Sequence, residues 1–204
     1  MSKQNEGADH SHKKKMEKLK KNIDASIKSA NIERGVGILL TGNGKGKSSS
    51  AFGMVIRSLG YNHKVGVVQF IKGQLLSGEE IYVQENCPSV TFYQMNTGFT
   101  WETQDRQADI AAAEKSWDVA SKMLQDDNYN LVVLDELTYM LSFKYLEEEM
   151  VIEALNNRPS QQSVIVTGRG GGASLAKWAD TVSDIKEIKH AYNQGIMARK
   201  GVDF

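Results

Sequence analysis

The residues with the clearest chemical potential lie in one glycine-rich stretch, Thr41-Gly42-Asn43-Gly44-Lys45-Gly46-Lys47-Ser48-Ser49. Glycines at 42, 44 and 46 let the backbone curl without Cβ clashes, so several N–H groups can converge on an anion. Lys47 supplies a positive point charge for a phosphate, and the Ser48 hydroxyl suits Mg²⁺. An apolar run precedes the turn and a helical pattern follows it, which is the order of a phosphate-binding loop. Thr41 stands where the usual pattern has its first glycine, which points to a variant use of the loop. The competing reading is a glycine-rich turn that binds nothing.

Three further clusters carry chemistry. Leu131-Val132-Val133-Leu134 delivers Asp135 and Glu136 at its end, either to hold a metal ion or to cap the next helix. Gly168-Arg169-Gly170 follows another apolar run; it suits an anion, or is a turn with an exposed arginine. Phe99 and Trp101 sit in a polar, glycine-containing loop, where aromatics serve as packing caps or as ligand contacts. Strand ends of a parallel sheet converge on one edge, so these clusters together imply a nucleoside triphosphate with Mg²⁺. No Ser-His-Asp arrangement or Cys-His metal spacing is readable.

The positioning elements follow from hydrophobic patterning. Apolar runs at 36–40, 65–71, 90–95, 131–134 and 163–167 predict buried strands of a parallel sheet, and 183–189 predicts a last strand. Helices are expected over 48–59, from the Ser77-Gly78-Glu79-Glu80 capping box, over 105–125 with Thr103 as cap, and over 137–143, 147–156 and 173–179. Arg57 falls late in the first of these, able to reach over the site or to face solvent. Residues 1–15 read as a polar mobile tail, 16–30 as an amphipathic helix striped by Met16, Leu19, Ile23 and Ile27, and 31–204 as one α/β domain.

Composition narrows the class. With 204 residues, 40% hydrophobic and 25% charged, the chain can build one α/β core. Twenty-five basic against 25 acidic residues give no electrostatic argument for nucleic acid. The single cysteine, Cys87, fits a reducing cytoplasm, and no apolar run approaches the ~20 residues that span a bilayer.

The segments 41–48, Val67-Val68-Gln69-Phe70-Ile71-Lys72-Gly73, 97–104, 132–139, 167–170 and Gly195 to Phe204 resemble, in order, the P-loop corrinoid adenosyltransferases. The resemblance covers residue 17 to the end. Ser48 and Ser49 stand where that family usually has threonines, and Gly171-Gly172 replaces a bulkier stretch. It implies a RecA-like P-loop fold, a mostly parallel sheet flanked by helices, in a homodimer. It implies ATP and a reduced corrinoid such as cob(I)alamin as substrates, with Mg²⁺ or Mn²⁺, and a reduced flavoprotein such as flavodoxin as electron donor. By the same resemblance Thr41, Gly42, Asn43, Gly44, Lys45, Gly46, Lys47, Ser48, Ser49 and Arg57 belong to the nucleotide site. Ser48, Asp135 and Glu136 belong to the metal, Arg169 to the triphosphate, and Phe99 and Trp101 to the corrin face. A P-loop ATPase or phosphotransferase is the alternative function.

Overall fold

The computed structural model describes residues 3–71, 76–95, 105–170 and 172–204, with side chains from His10 onward. The chain divides into two units, Met1–Glu33 and Arg34–Phe204. The first is a single helix, α1 (Lys3–Ser29), which begins well before the apolar stripe, so the stretch read as a tail is helical from Lys3. Met16, Leu19, Ile23 and Ile27 are all exposed along it.

The second unit alternates strands and helices: β1 (Gly37–Thr41), α2 (Lys47–Leu59), β2 (Val65–Gln69), α3 (Gly78–Asn86), β3 (Val90–Gln94), α4 (Arg106–Gln125) and β4 (Leu131–Asp135). There follow α5 (Leu137–Ser142), α6 (Glu148–Asn156), β5 (Ser163–Thr167), α7 (Gly172–Trp178), β6 (Thr181–Asp184) and a 3₁₀ turn (Ala191–Gln194). The strands form one sheet in the order β3-β2-β4-β5-β1-β6, and every pairing is parallel. Strand β5 therefore lies between the glycine-loop strand and the strand that ends in Asp135.

Side chains of successive strand residues point to opposite faces, and both faces are covered. Val132, Leu134, Val164 and Val166 join Trp117, Leu155 and Leu175 from α4, α6 and α7 in one layer. Val133, Leu131, Ile165 and Leu40 join Ala51, Phe52, Val55 and Val83 from α2 and α3 in the other. Burying each such valine or leucine contributes about 1.5–3 kcal/mol, so the strand ends that carry the polar residues are fixed by a two-sided core.

Local signals explain most boundaries. Ser77 caps α3 by accepting from the Glu80 N–H at 3.2 Å, as the capping box predicts. Helix α4 is capped by Asp105, whose Oδ1 accepts from the N–H groups of Gln107 and Ala108; Thr103 lies outside the described residues. The last strand occupies 181–184 rather than 183–189. It is an edge strand with every residue exposed, so it lacks the buried run that marks the central strands. Its start is fixed by Asp180, which accepts from Arg34 and from the Gly37 N–H at 2.8 Å and so joins the entries of β1 and β6.

Candidate functional site

A cleft of about 930 Å³ opens at the carboxyl edge of the sheet. The glycine loop forms one side, with Asn43, Gly44, Lys45, Gly46, Lys47, Ser48 and Ser49 all on its wall. Gly46 takes φ +116°, and a Cβ there would meet nothing within 4 Å, so only conformation demands glycine at this position. It leads into α2 without a side-chain cap and with no acidic residue in the first turn. The helix N-terminus thus presents its N–H groups and positive dipole end to the cleft.

The other two glycines have a different cause. A Cβ on Gly42 (φ +99°) would come within 2.3 Å of Asp184 Oδ1 and 2.5 Å of the Ile185 carbonyl oxygen. On Gly44 it would come within 2.7 Å of that same oxygen, and the Gly44 N–H donates to it at 2.7 Å. Both glycines admit the segment that leaves β6. Thr41 sits apart from the cleft wall and donates through Oγ1 to the Gly170 carbonyl at 2.7 Å. The residue that replaces the usual first glycine therefore ties the phosphate loop to the Gly-Arg-Gly loop.

Lys47 is buried, and its Nζ donates to the Gly44 carbonyl at 2.8 Å. Burial pushes its pKa down, against the pull of nearby Glu136. Arg169 reaches the wall from the loop after β5. Its neighbour Gly168 is at φ +142°, where a Cβ would come within 2.0 Å of Thr138 Oγ1, so this loop is closely seated on α5. Arg57 is not brought to the cleft: it lies exposed in the last turn of α2, about 15 Å along the axis from Lys47 at 1.5 Å per residue.

The paired carboxylates separate into two roles. Asp135 is almost wholly buried; its Oδ1 accepts from Thr167 Oγ1 at 2.6 Å and its Oδ2 from Gln69 Nε2 at 3.0 Å. Gln69 in turn accepts from Gln94 Nε2 at 2.7 Å, so a polar chain crosses the ends of β3, β2, β4 and β5. Thr167 Oγ1 also accepts the Glu136 N–H at 2.9 Å. That contact holds Glu136 at φ 60°, a left-handed conformation uncommon outside glycine. Glu136 makes no side-chain cap to α5, which removes helix capping as its purpose. Its Oε2 is buried with no hydrogen-bond partner among the described residues. Burial, then the adjacent Asp135, raises its pKa to about 7.

An orphaned carboxylate oxygen on the same wall as the Ser48 hydroxyl is a donor set for a hard divalent cation, with phosphate and water oxygens completing the shell. Among the described residues no three His, Cys, Asp or Glu cluster to cage a metal unaided. Phe99 and Trp101 lie outside the described residues.

Sequence reasoning missed part of the wall. Tyr139 on α5 lines it, and burial followed by the charge of Glu136 raises the phenol's pKa. His190 and Gly201–Phe204 line it too, and Asp203 pairs with Lys45 at 3.2 Å. The tail was legible as a motif but not as a neighbour of residue 45, because that contact is purely tertiary.

A parallel sheet, a glycine loop opening α2, and a carboxylate pair two strands over define an α/β protein of the P-loop kind. The model of the ATP:corrinoid adenosyltransferase BtuR/CobO/CobP family matches residues 33–204, and the chain belongs to that family. The corrinoid adenosyltransferase of Pseudomonas aeruginosa is 50% identical over 196 residues, covering 96% of this chain and 97% of that protein. That of Escherichia coli K12 is 45% identical over 197 residues, covering 97% and 100%. That of a Sinorhizobium species is 38% identical over 198 residues, covering 96% and 92%.

Proposed function

We propose that this chain transfers the 5′-deoxyadenosyl group of ATP to the cobalt of a Co(I) corrinoid and releases inorganic triphosphate, in adenosylcobalamin biosynthesis or salvage. The observation that carries this reading is the 50% identity to a corrinoid adenosyltransferase over 96% of the chain, and the whole wall of the cleft, Asn43 to Phe204, lies within the residues matched by the family model. The cobalt–carbon bond forms with the electron pair of Co(I). The bond from C5′ to the α-phosphate oxygen breaks, and its pair leaves on the triphosphate. No proton is removed in this step, so the protein needs no general base. Its task is to align C5′ with cobalt and to stabilise the leaving group.

Lys45, Lys47 and Arg169, with the loop N–H groups at the start of α2, are suited to hold the triphosphate. The wall already carries Glu79, Asp135, Glu136 and Asp203. A triphosphate added to these carboxylates calls for a divalent cation, and Ser48 and Glu136 are the residues that would hold Mg²⁺ or Mn²⁺. Such a cation neutralises charge that builds on the leaving triphosphate. Asp135, with both oxygens engaged, positions Glu136 instead.

By the family resemblance, Phe99 and Trp101 press on the lower corrin face and displace its axial base. Losing that donor ligand raises the potential for making Co(I) toward the reach of a reduced flavoprotein such as flavodoxin. The same resemblance implies a homodimer and suits the N-terminal helix to covering the partner's site, and the single cysteine, Cys87, fits a cytoplasmic setting.

Product analysis tests the reading. Incubation with ATP and chemically reduced cob(I)alamin should yield adenosylcobalamin and triphosphate in equal amounts. ADP and phosphate in their place would make the protein an ATPase or phosphotransferase. Unchanged ATP beside bound corrinoid would make it a binding module.

A further inference from the structure

Four carboxylates line a cleft whose loop and helix terminus are built for an anion, and three have a stated place. Asp135 anchors the polar chain, Glu136 faces the cation position, and Glu79 accepts from Ser49 Oγ at 3.2 Å. Asp203 has none. It is held in the cleft wall by a turn closed on itself. Gly201, at φ +76°, donates its N–H to the Phe204 carbonyl at 2.7 Å, and the Asp203 N–H donates to the Arg199 carbonyl at 2.8 Å. Asp203 Oδ2 accepts the Arg199 N–H at 3.0 Å, which leaves Oδ1 to face Lys45 Nζ at 3.2 Å. One oxygen locks the turn and the other neutralises a lysine of the phosphate loop. The Arg199 N–H, followed by the Lys45 ammonium, holds the Asp203 carboxyl below its ordinary pKa, so it is an anion at neutral pH.

We propose that Asp203 is an internal counter-anion for Lys45 that competes with the triphosphate for it. Triphosphate binding draws the ammonium from the carboxylate to a phosphate oxygen, and re-pairing after the transfer favours release of free triphosphate. The proposal deepens the adenosyl-transfer reading and rests on it. Cleavage at C5′ converts a phosphoester oxygen into a further ionisable one, so the free product carries more negative charge than the same chain within ATP. A fixed carboxylate beside Lys45 therefore opposes the product more than the substrate, at the stage where product release limits many enzymes. The pair is half-exposed, with side-chain exposures of 45% and 28%, which bounds its strength to that of surface ion pairs.

Calorimetric titration of the full chain with inorganic tripolyphosphate, and separately with ATP, tests this in wild type, D203N, K45A and K45A/D203N, with K47A as control. D203N should bind tripolyphosphate about two- to fivefold more tightly, the range set by surface ion pairs. It should gain less for ATP. In the K45A background the same substitution should have at most half that effect. Unchanged or weaker tripolyphosphate binding by D203N, or an equal gain with and without Lys45, overturns the proposal. If wild type binds tripolyphosphate and K47A loses it while D203N changes nothing, the phosphate cleft stands and only the role of Asp203 falls. If wild type binds neither ligand, both fall.

Discussion

At the scale of single residues, Glu136 is the position where structure and chemistry are most at odds. A carboxylate oxygen buried without a partner costs free energy, and the group responds by holding its proton up to about pH 7. A divalent cation would reverse that balance by favouring the ionised form. The sign follows from the raised pKa: the carboxylate is mostly protonated below 7 and mostly ionised above it. Wild-type activity should accordingly need less Mg²⁺ at pH 8 than at pH 6. Glu136→Gln keeps the size and loses the charge, so its Mg²⁺ requirement should be higher and should lose that dependence on pH. A metal titration at the two pH values decides it, and curves identical to wild type would reassign the contact to Ser48 and the phosphates. The carboxylate pair was legible in the sequence, but the division of labour within it was not. Asp135 is fixed by Thr167, 32 residues away, and Gln69, 66 residues away, and no local pattern announces partners at such distance.

At the scale of elements, the site is held by contacts between strand ends. Thr167 Oγ1 joins β5 to β4 by donating to Asp135 and accepting from the Glu136 N–H. Thr167→Val fills the same space and removes both bonds, leaving a buried acceptor and a buried donor without a partner. Such losses cost about 1–3 kcal/mol, and the left-handed turn at Glu136 loses its support. Urea unfolding should show that loss, and turnover should fall with it. A midpoint equal to wild type would mean that water or rotation satisfies both groups.

Asp180 makes a second joint, between the entries of β1 and β6. Its partners, Arg34 first and then the Gly37 N–H, lower its pKa to about 2 from the ordinary 3.8. A depressed carboxylate stabilises the fold fully above its unfolded pKa, and that contribution drains away as pH falls toward about 2. Wild-type stability should therefore decline between pH 4 and 2 more steeply than that of Asp180→Asn, which starts lower at pH 7. Denaturant midpoints across that window check the slopes, and parallel curves would remove Asp180 from the account. Central strands were readable because burial on both faces leaves unbroken apolar runs. The edge strand was placed two residues late at its start and five at its end for the converse reason, since its register rests on pairing to Ile38 and Leu39 and on the Asp180 joint.

At the scale of the whole molecule, the family match begins at residue 33, and the compact unit begins at Arg34. The core that positions the cleft is thus complete without α1. Met16, Leu19, Ile23 and Ile27 are exposed on that helix, and both core layers of the sheet unit are built from its own residues. Hydrophobic stabilisation scales with area removed from water. Deleting residues 1–30 should therefore leave the thermal midpoint of the sheet unit within a few degrees of wild type, and tripolyphosphate binding intact. What the stripe can contribute is cover for a surface elsewhere, and under the proposed arrangement that surface is the partner subunit's site. Adenosylation of cob(I)alamin should then fall sharply in the truncated chain, although its phosphate cleft still binds. Mixing the truncated chain with a full-length chain carrying Lys47→Ala adds the decisive comparison. If each helix covers the other subunit, a mixed dimer joins one intact phosphate cleft to one intact helix, and activity returns above that of either chain alone. Activity that stays at the sum of the two parents would instead mean that each helix serves its own subunit.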